Sequence, residues 1–314
     1  MNSTISSGDK PYRLMSPETV KESGSFKIAE KLKDYMLLVK FNLSFMVVFS
    51  AVISYLLAPR VKEYDWKSII LLFVGGMLVT GSANAINQAM EKQTDAMMKR
   101  TAGRPVAAGR MTQAEATSFA VICGLAGSML LWHFNFLTAL LSVISLFFYA
   151  FIYTPLKKVS SAAVLVGAVP GAMPCLIGWA AGNDSLSAGG WILFAIQFFW
   201  QFPHFWAIAW IAHRDYAAAG FKLLPSGEGQ TKYSALQAVI YSLLLLPVGI
   251  MPYFNGMSGS VSLLIVLVAN LFMIGQCVRL YREMTIKSAR RVMFSSYIYL
   301  PVVLLALLID KVAN

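Results

Sequence analysis

The chain has 314 residues, of which 57% are hydrophobic and only 13% charged. A soluble globular domain carries about 25% charged residues, so this composition excludes an ordinary soluble domain and points to the membrane class. The net charge of +11 is no sign of a nucleic-acid partner, because the basic residues are parcelled out between long apolar segments in a regular way.

The first 26 residues are polar and include Asp9, Glu18 and Glu22. They lack the apolar core of a signal peptide and are too acidic for a transit peptide. Residues 1–30 are expected to form a flexible cytoplasmic tail, with an interfacial helix around residues 26–35. Residues 31–314 form one transmembrane domain. Measured against the ~20 apolar residues a spanning helix needs, nine spans follow: 35–58, 68–90, 114–133, 136–154, 161–181, 189–211, 234–254, 259–278 and 292–310. The expected fold is thus all-α and polytopic. Placing the N-terminus and every second loop in the cytoplasm puts 22 of the 26 Lys and Arg residues on that side; only Arg60, Lys62, Lys67 and Lys311 fall outside. The positive-inside rule then gives a cytoplasmic N-terminus and an external C-terminus. Cys123, Cys175 and Cys277 all lie inside apolar spans with no CxxC spacing, and read as small core residues.

The second span, "IILLFVGGMLVTGS", runs without a charge into "NAINQAMEKQTDAMMKRTAGRP". Asn87, Glu91 and Asp95 recur every four residues there. On an α-helix they share one face, rising about 6 Å per step. Two carboxylates and an amide oxygen are hard ligands suited to Mg²⁺ bridged to a phosphate. Lys99, Arg100, Arg104 and Arg110 could hold the far side of that anion. The other reading is a solvated helix end, with Glu91 beside Lys92 and Asp95 beside Lys99 as surface charges. The fourth and fifth spans are joined by "PLKKVS", whose Lys157 and Lys158 sit at the same cytoplasmic level or serve only as orientation charge. The fifth span carries Gly167, Pro170, Gly171 and Pro174, small or helix-breaking residues that allow close packing around a cavity.

The sixth span and its loop read "FWQFPHFWAIAWIAHRDYAAAGFKLLPSGEG". His204 lies at membrane depth, where an ionisable residue is a functional candidate; a neutral histidine bonded to a neighbouring helix is the alternative. Asp215, beside Arg214, could oppose the first metal-ligand set. Phe198, Phe199, Trp200, Phe202, Phe205, Trp206 and Trp210 suit the wall of a flat or isoprenoid substrate, or else simple lipid contact. His213 and His133 are weaker candidates, His133 because it falls on the opposite membrane face.

Three blocks carry a resemblance to the UbiA superfamily of intramembrane prenyltransferases, and within it to the branch that farnesylates haem. They are "NQAMEKQTDAMMKRTAGRP", "YTPLKK" running into "VGAVPGAMPCLIGW", and "FWQFPHFWAIAWIAHRDYAAAGFKLLP". Glu91 stands where the family usually has Asp, Cys175 replaces the second Pro of a Pro-Pro pair, and Leu223 replaces a Met. Relatives acting on aromatic quinone precursors usually carry a second acid where this chain has Ala219. The resemblance implies a nine-helix bundle around a central cavity in a bacterial inner membrane. Its implied reaction joins farnesyl diphosphate and haem B with help from Mg²⁺. It assigns catalysis and metal binding to Asn87, Glu91, Asp95 and Asp215. It assigns substrate binding to Lys99, Arg100, Arg104, Lys157, Lys158, Arg214, Tyr153 and His204, the last as a haem contact or axial ligand. The expected partners are the two substrates, the bilayer and a haem A synthase or oxidase-assembly protein, with no nucleic acid. The rival readings are a UbiA-type enzyme with an aromatic acceptor and a transporter using its acids and histidines as an ion path.

Overall fold

The computed structural model describes residues 17–312, with side chains described from residue 28 onward. Apolar segments of the lengths above can satisfy their backbone in lipid only as helices, and among the described residues the sole β pairing is an isolated bridge between Ser258 and Lys311. The spans are α3 (Trp66–Met90), α5 (Gln113–Trp132), α6 (Phe136–Phe147) continued by a π turn and α7 (Thr154–Leu156), α8 (Ala163–Asn183), α9 (Ala188–Ile211), α11 (Lys232–Phe254), α12 (Ser260–Glu283) and α13 (Ile286–Ile309). Among the described residues eight helices are long and apolar enough to cross a membrane, and the Ile28–Leu38 part of α1 (Pro17–Leu38) with α2 (Phe41–Leu57) supplies a ninth if that bent pair is one span. Spans two to eight start within a turn of their expected positions. The short α4 (Lys92–Met97) and α10 (His213–Ala218) lie in the two informative loops.

Two ends differ from expectation. The first span is not straight: it bends by 49° between α1 and α2. Lys40 adopts a left-handed conformation there (φ 49°, ψ 59°), which interrupts the helical ladder and leaves the carbonyls before it without their i+4 amide donors. Polar side chains of α3 take them up. Gln88 donates to the Leu37 and Leu38 carbonyls, and Asn84 to that of Val39. The last span starts earlier than expected, at Ile286, because Thr285 and Ser288 form a reciprocal capping box. Arg290 and Arg291 therefore belong to the helix. The interfacial helix expected over residues 26–35 lies within the longer α1, and residues 1–16 of the expected tail fall outside the described residues.

Helices adjacent in sequence pack side by side, and α13 returns to α2 to close the bundle. α8 is the most buried span. It approaches α2 so closely that a Cβ on Gly178 would run into the Ala51 carbonyl. Pro174 has no N–H to offer the carbonyl of Pro170, one turn back; Ser145 from α6 donates to it at 3.3 Å. The three cysteines are buried and unbridged. At the end of the bundle where α2 terminates, the Lys311 ammonium donates to the carbonyls of Leu56, Ala58 and Val61 at 2.7, 3.0 and 2.9 Å. The other end carries the loops after α3, α7 and α9, and it is there that the polar residues meet.

Candidate active site

Glu91 caps the end of α3 and α4 starts directly after it, so the helical path bends slightly without being lost. The Glu91 amide donates to the Asn87 carbonyl and the Asp95 amide to that of Glu91. Asn87, Glu91 and Asp95 thus stay one turn apart on one face, as their spacing predicts. All three are buried, Asp95 to 1% exposure. The π turn at Phe148–Tyr153 adds a residue to the end of the fourth span, a device common at functional sites, and delivers Tyr149, Tyr153 and Lys157 opposite α3.

The carboxylates are paired across the chain and not with their sequence neighbours. Glu91 Oε1 lies 2.6 Å from Lys157 Nζ, while its Oε2 accepts from the Asn87 amide nitrogen at 2.9 Å. Arg104 donates through one nitrogen to both oxygens of Asp95 at 2.8 Å. The surface pairing of Glu91 with Lys92 and Asp95 with Lys99 is absent. Burial lowers the Lys157 pKa, and Glu91 partly opposes that. The Lys157 ammonium also sits 4.8 Å above the Tyr153 ring and 5.4 Å from that of Phe221, both favourable contacts for a desolvated cation. Arg100 donates to the Tyr216 hydroxyl at 2.7 Å, and burial raises the Tyr216 pKa.

These groups line a cavity of about 310 Å³. Of the expected site residues, Asn87, Glu91, Asp95, Arg100, Arg104, Tyr153, Lys157 and His204 face it. Lys99, Lys158 and Arg214 do not; each is exposed. Asp215 does not line the cavity either. Consecutive residues on a helix point about 100° apart, so turning Tyr216 of α10 inward turns Asp215 out to a half-buried position at the rim. The same logic selects Lys157 over Lys158. His213 packs on Gly229, away from the cavity, and His133 is exposed in the turn between α5 and α6.

The donor set fits a magnesium–diphosphate unit but not a self-sufficient metal cage. Among the described residues no group of three or more His, Cys, Asp and Glu side chains could hold a metal ion. Mg²⁺ keeps waters and takes one or two carboxylates plus substrate phosphates, and two buried carboxylates face this cavity. Glu91 Oε1 supports the fit. It is fully buried, and its contact with Lys157 is ionic without hydrogen-bond alignment. Asn87 presents its amide nitrogen to Glu91, so here it orients that carboxylate.

The far wall belongs to α9 and α13. His204 is both a cavity residue and a histidine bonded to a neighbouring helix, through Ser296 at 2.7 Å. The aromatic run of the sixth span is mostly core: Phe202 and Trp206 pack around Tyr241, and Trp210 is buried. Only Phe205 of that run reaches the cavity, while Tyr149, Tyr153, Tyr216 and Tyr297 supply hydroxyl-bearing rings and Phe221 a further apolar one. A second, apolar cavity of about 110 Å³ continues between α2, α3, α6 and α8, sharing Leu43 and Tyr149 with the first. Sequence reasoning missed Lys40, Tyr149, Tyr216 and Tyr297 as cavity residues. Lys40 had a visible signal, a lone cation inside "LLVKFNL"; Tyr149 stands one turn before Tyr153, and Tyr216 follows Asp215 directly.

A model of the UbiA prenyltransferase family matches residues 47–299 of the chain. A protein of Cytophaga hutchinsonii named protoheme IX farnesyltransferase is 44% identical over 286 residues, covering 91% of this chain and 100% of that one. Among solved structures, that of a digeranylgeranylglyceryl phosphate synthase superposes with a TM-score of 0.74 at 22% identity, over 90% of this chain and 98% of that one. A UbiA homolog from Archaeoglobus fulgidus bound to GPP and Mg²⁺ gives a TM-score of 0.63 at 11% identity, over 87% and 99%.

Proposed function

The chain belongs to the UbiA prenyltransferase family, and from that membership we propose that it transfers a farnesyl group from farnesyl diphosphate to a vinyl group of protohaem IX, giving haem O. It is a multi-pass membrane protein and a prenyltransferase; the relative at 44% identity carries the name of this reaction over its whole length. The observation that carries the assignment to this cavity is the pair of buried carboxylates, Glu91 and Asp95, facing Lys157, Arg100 and Arg104 in one enclosure.

Glu91 and Asp95 would hold Mg²⁺ against the diphosphate, where the ion would neutralise developing charge on the leaving group. Lys157, Arg100 and Arg104 supply the fixed positive charge around it; Lys157 is buried, where water screens it least, and Arg100 and Arg104 reach in from the more open side. The apolar cavity beyond Leu43 and Tyr149 takes the isoprenoid tail. When the bond between C1 and the diphosphate oxygen breaks, its electron pair leaves with the diphosphate. The rings of Tyr149, Tyr153 and Phe205 can stabilise the allylic cation so formed. The vinyl π electrons of haem bond to C1, and water captures the new cation and loses a proton. One farnesyl diphosphate, one haem B and one water thus give haem O and diphosphate. The basic end of the bundle would face the cytoplasm of a bacterium, with the protein in its inner membrane.

The test is a product assay. Purified protein with Mg²⁺, labelled farnesyl diphosphate and haem B is expected to yield haem O by mass. No haem O, with prenylated 4-hydroxybenzoate in a parallel reaction, would move the chain to the aromatic-acceptor branch.

A further inference from the structure

The hydrogen bonds around His204 determine which of its nitrogens carries a proton. Nδ1 lies 2.7 Å from the Ser296 hydroxyl, and that hydroxyl lies 2.6 Å from the Met293 carbonyl oxygen. A carbonyl oxygen has no proton to give, and a serine hydroxyl has one. The Ser296 proton is therefore committed to Met293, and at His204 the serine must accept. His204 donates from Nδ1, which in a neutral imidazole leaves Nε2 with a free lone pair.

The ring is also held in place. Trp200 stacks on it at 4.8 Å and 16°, and the Trp200 indole N–H donates to the Ser296 carbonyl at 2.9 Å. Tyr297 meets the ring edge-on at 5.2 Å, and Phe205 packs beside it at the same distance. With Nδ1 spent on α13, the nitrogen that the ring has left for the cavity is Nε2. A preset tautomer, fixed orientation and a hydrogen-bonded second nitrogen are what a protein provides around a metal-ligating histidine.

We propose that Ser296 is a positioning residue that locks His204 in its Nδ1–H tautomer, so that Nε2 is the ring atom His204 offers to the iron of the haem acceptor. The inference rests on the haem reading of the function. It gives the acceptor an anchor in the same cavity as Glu91 and Asp95, on the wall formed by α9 and α13.

The experiment titrates the purified full-length protein with ferric haem B and, separately, with metal-free protoporphyrin IX, which has the same rim but no iron. Electron paramagnetic resonance and magnetic circular dichroism read the iron's ligation. Wild type is expected to show nitrogen ligation. His204→Ala should lose that signature and bind haem no more tightly than protoporphyrin, whose own affinity stays unchanged; added imidazole should restore the signature. Ser296→Ala should weaken haem binding about tenfold with protoporphyrin again unaffected, and Ser296→Thr should recover it. Nitrogen ligation surviving in His204→Ala would overturn the proposal. So would an equal loss of haem and protoporphyrin in either variant, which marks a role in shape alone. A wild type that neither binds haem nor makes haem O removes the function proposed above; haem O production with iron ligation independent of His204 removes only this inference.

Discussion

Lys157 is the side chain on which the electrostatics of the cavity turn. It is buried, it lies 2.6 Å from Glu91, and burial has lowered its pKa. Raising the pH therefore strips its charge earlier than for an exposed lysine, and the anion site weakens. The KM for farnesyl diphosphate should rise on the alkaline side, and Lys157→Arg, which stays protonated at any accessible pH, should move that limb to higher pH. An unshifted limb in Lys157→Arg would assign it to another group. Lys157→Met leaves the Glu91 carboxylate buried without its cation, and thermal unfolding in detergent should register a loss of about 3–5 kcal/mol. Glu91 stands where the resemblance leads one to expect an aspartate. Its longer arm is what spans the gap to Lys157 while Asn87 holds the other oxygen.

At the level of single elements, α3 serves two purposes with two faces. Asn87 and Glu91 face the cavity, and Asn84 and Gln88 repair the α1–α2 break. Gln88→Leu would leave the buried carbonyl of Leu38 without its side-chain donor, while that of Leu37 keeps the Lys40 N–H. The expected loss is about 1–3 kcal/mol, measurable as a lower unfolding midpoint. A midpoint equal to wild type would mean that the break is relieved some other way. Where α2 crosses α8, Gly178→Leu drives a side chain into the Ala51 backbone, and overpacking of this kind costs about 1–3 kcal/mol. The spans themselves were legible in the sequence because length and hydropathy are local properties. The break was not, since it depends on Lys40 taking a left-handed backbone conformation and on polar residues about 45 positions away.

Taken as a whole, the molecule gathers three loops and one helix break at a single end of a closed bundle. The acid spacing of Asn87, Glu91 and Asp95 could be read directly, as could the depth of His204. Pairing could not be read, because Arg104, Lys157 and Ser296 reach their partners only through folding, and Asp215 and Tyr216 differ only in which way a short helix turns. The orientation expected from the basic loops is open to test by cysteine labelling, since the three native thiols are buried. With an impermeant maleimide, Glu228→Cys should react only in inverted vesicles and Asn255→Cys only from the outer side; the reverse pattern would invert the topology. The central claim is that the buried acids of α3 and α4 hold the diphosphate in a haem-farnesylating cavity. Its most direct test is single-turnover haem O formation by Asp95→Asn with saturating haem B. The account predicts a loss of at least about 100-fold with haem binding retained, and turnover near that of wild type would contradict it.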